Sequence, residues 1–148
     1  MHLAHYLGLL HRAQIALGET FGTVAQAHRD EADVYHTCRR LAEQCGGHAA
    51  ALEPFTRRYG EDGAEPQSAR FCGPRSGGMG LLRDLHDLYL MAAECDLCWT
   101  VVGQAAQGAR DTGLVEVVRR CEGETAVQLA WLRTRIKQAA PQALVVAE

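Results

Sequence analysis

The sequence predicts an all-α protein, an antiparallel four-helix bundle with one long crossover between helices 2 and 3. Three observations predict it. Apolar residues recur at three- and four-residue steps in four blocks, the period of an α-helix, and no run of four or more alternates as a half-buried strand does. Each block is long enough for a helix of roughly 25 residues, about 37 Å at 1.5 Å per residue, and rods of that length bury their stripes only side by side. The joins are unequal, two of them short and one long.

The first helix, over residues 2–28, carries Leu3, Leu7, Leu10, Leu17, Phe21 and Val24 on its inner stripe and ends in the polar His28-Arg29-Asp30. Asp30 or a neighbour supplies a cap for the next helix. The second helix, over 31–59, reads Val34, Cys38, Leu41, Cys45, His48 or Ala49, Leu52 and Phe55. Pro54 lies inside it and is expected to kink or shorten it. Residues 60–77, with Gly60, Gly63, Pro66, Gly73 and Pro74 among polar neighbours, form the long connection. The third helix, over 78–108, places Leu81 or Leu82, Leu85, Leu88, Ala92, Cys95, Trp99, Val102 and Ala106 inward and ends at Gly108. Asp111-Thr112-Gly113 opens the fourth, over 112–139, with Leu114, Val117 or Val118, Cys121, Thr125, Gln128, Leu132 and Ile136 inward. Pro141 stops it, and the tail from Gln142 is too short for another helix of core length.

Short joins make helices 1 and 2 antiparallel, and likewise helices 3 and 4. The 60–77 connection is long enough to travel the length of the bundle, which gives ferritin-like connectivity. A simple up-down bundle with a long 60–77 loop is the alternative.

Charge is balanced, with 15 basic against 18 acidic residues among 148 and a net charge of −3. A nucleic-acid binder carries a basic stripe, so no nucleic-acid partner is expected. There is no apolar run of membrane-spanning length and no charged-then-apolar leader, so no membrane partner is expected and the chain reads as cytoplasmic. Walker, dinucleotide-binding and nucleophile-elbow motifs are missing, which removes the nucleotide and hydrolase readings. The six cysteines, Cys38, Cys45, Cys72, Cys95, Cys98 and Cys121, read as buried hydrophobes. Cys38 and Cys45 on one helix stand roughly 10 Å apart along the axis, beyond the limit of about 7 Å for a disulfide. Cys95-x-x-Cys98 falls in mid-helix and not at a helix start after a strand, unlike a thioredoxin motif.

A bundle core tolerates charge only when it is paired or bound, so acids and histidines beside the stripes are the informative residues. They are Glu19 with Gln14 before it, Cys45-x-x-His48, Asp87 and Glu94, and Glu122, Glu124, Thr125 and Gln128. A di-iron carboxylate bundle needs one Glu from each of two helices and Glu-x-x-His from each of the other two. Here those units read Cys45-x-x-His48 and Glu122-x-x-Thr125. Glu19, His48, Glu94 and Glu122 remain as a four-ligand set suited to iron, manganese or zinc, unless the acids are simply solvated. Cys45, Cys95, Cys98 and Cys121, with His48, form an alternative thiol set suited to Cu(I) or zinc. Cys45 and His48 share a face, but no third group orients them for nucleophilic catalysis.

Leu81-Leu82-Arg83-Asp84-Leu85-His86-Asp87-Leu88-Tyr89, Glu94 and Cys121-Glu122-Gly123-Glu124-Thr125-Ala126-Val127-Gln128 resemble the YciE branch of the ferritin-like superfamily over roughly residues 80–138. The resemblance implies a four-helix bundle and carries metal-ligand roles onto Glu19, His48, Glu94 and Glu122. Cys45 in place of a Glu and Thr125 in place of a His depart from it and put oxygen activation in doubt. The expectation is a bundle that acts by association as a homodimer, with a reduced or lost metal centre and no enzymatic activity. The alternatives are an iron, manganese or zinc protein with a redox or storage role, and a thiol-based metal or redox sensor.

Overall fold

The computed structural model describes residues 2–60 and 71–146. The helices are α1 (Leu3–Ala27), α2 (Ala32–Tyr59), α3 (Gly77–Gly108) and α4 (Thr112–Pro141), followed by one π turn, Gln142–Val146. Their ends fall within two residues of the sequence expectation, and every stripe residue from Leu3 to Phe55 named without an alternative is buried. Of the paired choices, Leu81 and Val118 are buried while Leu82 and Val117 are half-buried, and both His48 and Ala49 face inward. The middle of the 60–77 connection, residues 61–70, lies outside the described residues.

Pro54 does not shorten α2, which continues to Tyr59. The side chain is exposed, so the lost backbone hydrogen bond falls on the outer side of the helix, at exposed Ala50 four residues before it. Helix α4 runs two residues past its expected end to include Pro141, and the chain continues helical into the π turn Gln142–Val146. Asp111 caps the start of α4 by accepting from the Leu114 N–H at 3.1 Å.

The helices stand in a square, with α1 between α2 and α3, and α4 between α3 and α2. α1 lies closest to α2. Gly18 permits this approach, since a Cβ there would stand 3.2 Å from the Cβ of Cys45. The α2 and α4 backbones stand farther apart, and long polar side chains span the gap between them.

Contacts at the two ends fix the path. Tyr59 and Arg58, at the end of α2, bond Asp111 at the start of α4. Arg75, just before α3, bonds Asp84, which in turn bonds His28 beyond the end of α1. The end of α2 and the start of α3 therefore lie at opposite ends of the bundle. The order is up, down, down, up, with one long crossover, and not the simple up-down alternative. Among the described residues no helix is long and apolar enough to cross a membrane.

Candidate functional site

Halfway along the bundle the leucine stripes give way to a polar layer. α1 contributes Gln14, α2 contributes Cys45 and His48, α3 contributes Cys95, and α4 contributes Thr125 and Gln128, all buried. Helical spacing puts them there, because each sits on the same stripe as the leucines above and below it. Gln44 and Glu124, half-buried on the facing edges of α2 and α4, extend the layer toward solvent.

Hydrogen bonds join these groups. His48 meets Gln14 Oε1 through Nδ1 at 3.2 Å and Glu124 Oε1 through Nε2 at 3.4 Å. Gln44 Nε2 donates to Glu124 Oε2 at 2.8 Å, and Gln128 Nε2 donates to Gln44 Oε1 at 2.7 Å and reaches Cys45 Sγ at 3.7 Å. Trp99 donates its indole N–H to Thr125 Oγ1 at 3.1 Å, and the Thr125 hydroxyl donates back to the Cys121 carbonyl at 2.8 Å. The Trp99 ring stands edge-on to His48, with centroids 5.7 Å apart. Burial lowers the His48 pKa, and the Glu124 carboxylate opposes that shift only in part.

Of the four expected metal ligands, only His48 enters this layer. Glu19 is exposed and borders a shallow surface groove beside Gly22 and Pro74. Glu94 is half-buried. Glu122, also half-buried, accepts from the Thr100 hydroxyl at 3.1 Å. Glu94 and Glu122 sit one position off the stripe and Glu19 two positions from Leu17 and Phe21, and since one residue turns a helix by about 100° these offsets move the side chains from the core to its edge or beyond. Among the described residues no three His, Cys, Asp or Glu side chains stand close enough to hold a metal ion.

The thiol set is gathered differently. Cys45, Cys95, Cys98 and Cys121 all lie in the core. Burial pushes Cys45 and Cys98 up to about 12, and raises Cys95 and Cys121 as well. A thiol held protonated is a poor nucleophile, so these four are not reactive thiolates at neutral pH. None of the six cysteines is bridged; Cys72, before α3, is exposed.

The six inward positions nonetheless follow a recognisable spacing. A di-metal carboxylate bundle takes one Glu from each of two helices and a pair three residues apart from each of the others. Gln14 and Cys95 occupy the single positions here, while Cys45-x-x-His48 and Thr125-x-x-Gln128 occupy the paired ones. The pair on α4 is thus three residues beyond the Glu122-x-x-Thr125 expected from sequence. Every carboxylate position holds an amide, a thiol or a hydroxyl. Hard divalent cations need anionic oxygen donors, and this set does not fit iron or manganese.

Of a second buried polar cluster, only Asp87 stands out in the sequence. Asp84, fully buried at the top of α3, accepts from His28 Nε2 at 2.7 Å, from the Arg75 N–H at 2.9 Å and from Arg75 Nη1 at 2.8 Å. The same guanidinium nitrogen bonds Asp87 at 2.9 Å. The available signal was Asp84 and Asp87 both falling beside the Leu81-Leu85-Leu88 stripe, where an acid requires a partner. No family model, curated protein or solved structure matches the chain.

Proposed function

We propose that this chain is a non-catalytic ferritin-like bundle that works by pairing with a second copy of itself, its inner ligand positions having become neutral. The observation that carries this reading is the donor set of the central layer: two amides, two thiols, one hydroxyl and one imidazole at Gln14, Gln128, Cys45, Cys95, Thr125 and His48. That set supports packing and hydrogen bonding. The nearest carboxylate, Glu124, lies at the edge of the layer, where Gln44 and His48 already bond it.

Pairing is supported by the outer side of α3. Met79, Leu90 and Leu97 recur at eleven and seven residues, which aligns them along one face, and Leu97 is 65% exposed. From Leu97 to Gly108 the helix has no charged residue. Beside it, a groove of about 440 Å³ opens between α1 and α3, lined by Leu3, Tyr6, Val101 and Ala105 among others. The uncharged half of this face, from Leu97 onward, meets a second copy of itself without like-charge repulsion, while exposed Arg83 lies on its other half, and two-fold pairing is the commonest closed assembly. The outer faces of α2 and α4, by contrast, carry Arg39, Arg40, Glu43, Arg57, Glu116, Arg119 and Lys137.

Light scattering on the size-fractionated protein, combined with metal analysis after incubation with Fe(II), Mn(II) and Zn(II), tests both halves. The expected result is a dimer that Leu97→Glu converts to a helical monomer, with no stoichiometric metal. A wild-type monomer at high micromolar concentration overturns the pairing. Stoichiometric iron, manganese or zinc that His48→Ala removes overturns the neutral centre and establishes the alternative metalloprotein reading.

A further inference from the structure

At the centre of the bundle two amide groups are each only half satisfied. Gln14 on α1 and Gln128 on α4 are fully buried, at 0% and 1% exposure, and one polar atom of each has no partner among the described residues. A dry buried amide atom keeps the full cost of its desolvation, so natural cores rarely hold one without a reason.

Exchanging the oxygen and nitrogen of an amide does not remove the deficit. Glu124 can only accept, so Gln44 must turn its Nε2 to that carboxylate. Gln44 Oε1 then faces Gln128, which must answer with Nε2 and turn its own Oε1 away. The same carboxylate takes the N–H of His48 Nε2. A neutral imidazole with its proton on Nε2 has only a lone pair on Nδ1, and the Gln14 amide satisfies that lone pair by presenting Nε2 across their 3.2 Å contact. Gln14 Oε1 is then the atom turned away. One exposed carboxylate edge thus orients the whole chain of bonds, and both of its inner ends finish in a carbonyl oxygen.

Two inward carbonyl oxygens lack a donor. Three stripe residues at this level are small, Cys45, Cys95 and Thr125, where other layers carry leucine, while Trp99 fills the side toward His48 and Thr125. The Thr125 hydroxyl proton is already committed to the Cys121 carbonyl, and Cys45 Sγ accepts from Gln128 Nε2, which leaves the thiol protons of Cys45 and Cys95, weak donors, in the layer. Buried water commonly fills such polar places, making about three hydrogen bonds to groups the protein leaves unsatisfied.

We propose that the bundle core binds an ordered internal water that donates one hydrogen to Gln14 Oε1 and the other to Gln128 Oε1. It ties α1 to α4, the diagonal pair that has no direct helix contact. The site stands on the core alone, whatever the chain pairs with.

Water-selective nuclear Overhauser spectra of the ¹⁵N-labelled full chain, repeated on Gln128→Met, test this. Methionine has a similar length and shape but no carbonyl acceptor. The expected result is a cross peak of the sign given by long-lived water to the side-chain amide protons of Gln14 and Gln128, and loss of the Gln14 peak in Gln128→Met. Absence of such peaks in the wild type overturns the proposal, as does a direct amide contact between Gln14 and Gln128. Survival of an unchanged Gln14 peak in folded Gln128→Met also overturns it. Broadening of the same protons by stoichiometric Mn(II) assigns the place to a cation and overturns it too. Should Gln128→Met fail to fold, the wild-type spectrum decides.

Discussion

His28 Nε2 lies 2.7 Å from Asp84 Oδ2, and this contact between α1 and α3 closes one end of the bundle over the incoming crossover. Asp84 also receives the backbone N–H and the guanidinium of Arg75, so one buried carboxylate holds three donors. Gly80 lets the crossover lie so close, since a Cβ there would stand 2.7 Å from the Arg75 carbonyl carbon. The acidic stretch that prompted the family resemblance thus has an architectural role here: it anchors the strap that makes α2 and α3 run the same way.

Removing that carboxylate strands a buried imidazole and a buried backbone N–H together. Asp84→Ala is expected to destabilise the protein by about 3 kcal/mol, the range for breaking one side of a buried ionic cluster. Urea unfolding should show a lower midpoint with an unchanged slope. Asp87→Ala, which removes one bond to an arginine that keeps Asp84, should do much less.

At the other end Asp111 joins α2 to α4. It caps α4, takes the Tyr59 hydroxyl at 2.6 Å and pairs with Arg58 at 2.9 Å. The Tyr59 hydroxyl, followed by the Leu114 N–H and Arg58, holds the Asp111 carboxyl below the usual carboxylate range. A depressed acid stabilises the fold fully above the unfolded value of about 3.9 and loses that contribution as pH falls through the native value. Tyr59→Phe is therefore expected to move the Asp111 titration upward, as followed by carbonyl NMR, and to shift the acid-unfolding midpoint to higher pH. An unmoved Asp111 titration would show that the cap and Arg58 suffice.

His48 responds to pH in a different window. Burial lowers its pKa below the ordinary 6.5, so the unfolded chain takes up a proton there before the folded one does. The contribution is complete above about pH 6.5 and declines as pH falls from there toward the native pKa. The difference in stability between wild type and His48→Gln, measured at intervals from pH 8 to pH 5, should shrink as the pH falls. A difference that stays constant across that window would mean that His48 titrates normally.

Four helices were legible because long apolar stripes at helical spacing survive any local irregularity, and the crossover because a connection of 17 residues joins helices that end and start at opposite ends. The site was legible only in part. Searching for charge led to Glu19, Glu94 and Glu122 as ligands, while Gln14, Thr125 and Gln128 stand beside them without a role in the sequence because they carry no charge, and Cys95 reads as a stripe residue and a thiol candidate. Glu94 and Cys95 are adjacent in the chain, and composition cannot tell which of two adjacent residues the helix turns inward. His28, Arg75 and Asp84 come from three separate segments, and no local pattern announces a cluster assembled only by folding.

The thiols offer a direct count. Cys38 and Cys45, both pushed up to about 12 by burial, and the buried Cys95, Cys98 and Cys121 should be silent to a thiol reagent in the native protein. One fast-reacting thiol per chain, abolished by Cys72→Ser, is the expected result, with all six reacting after denaturation. Two or more fast thiols would mean that the core opens on the timescale of the reaction.

The last prediction inverts the central layer. If Gln14, Cys45, His48, Cys95, Thr125 and Gln128 stand at the ligand positions of a di-metal bundle, restoring carboxylates there should create a centre in this fold. The variant combines Gln14→Glu, Cys45→Glu, Cys95→Glu, Thr125→Glu and Gln128→His, and keeps His48. Without metal, four buried carboxylates repel one another and pay desolvation, so the apoprotein should be largely unfolded. Metal converts that penalty into binding energy, and folding should become metal-dependent, with about two Mn(II) or Zn(II) ions per chain. Circular dichroism during metal titration reads both effects at once. Recovery of helicity at two equivalents would support these positions as the place of the lost centre; a variant that folds without metal, or takes up none, would show that the spacing is coincidental.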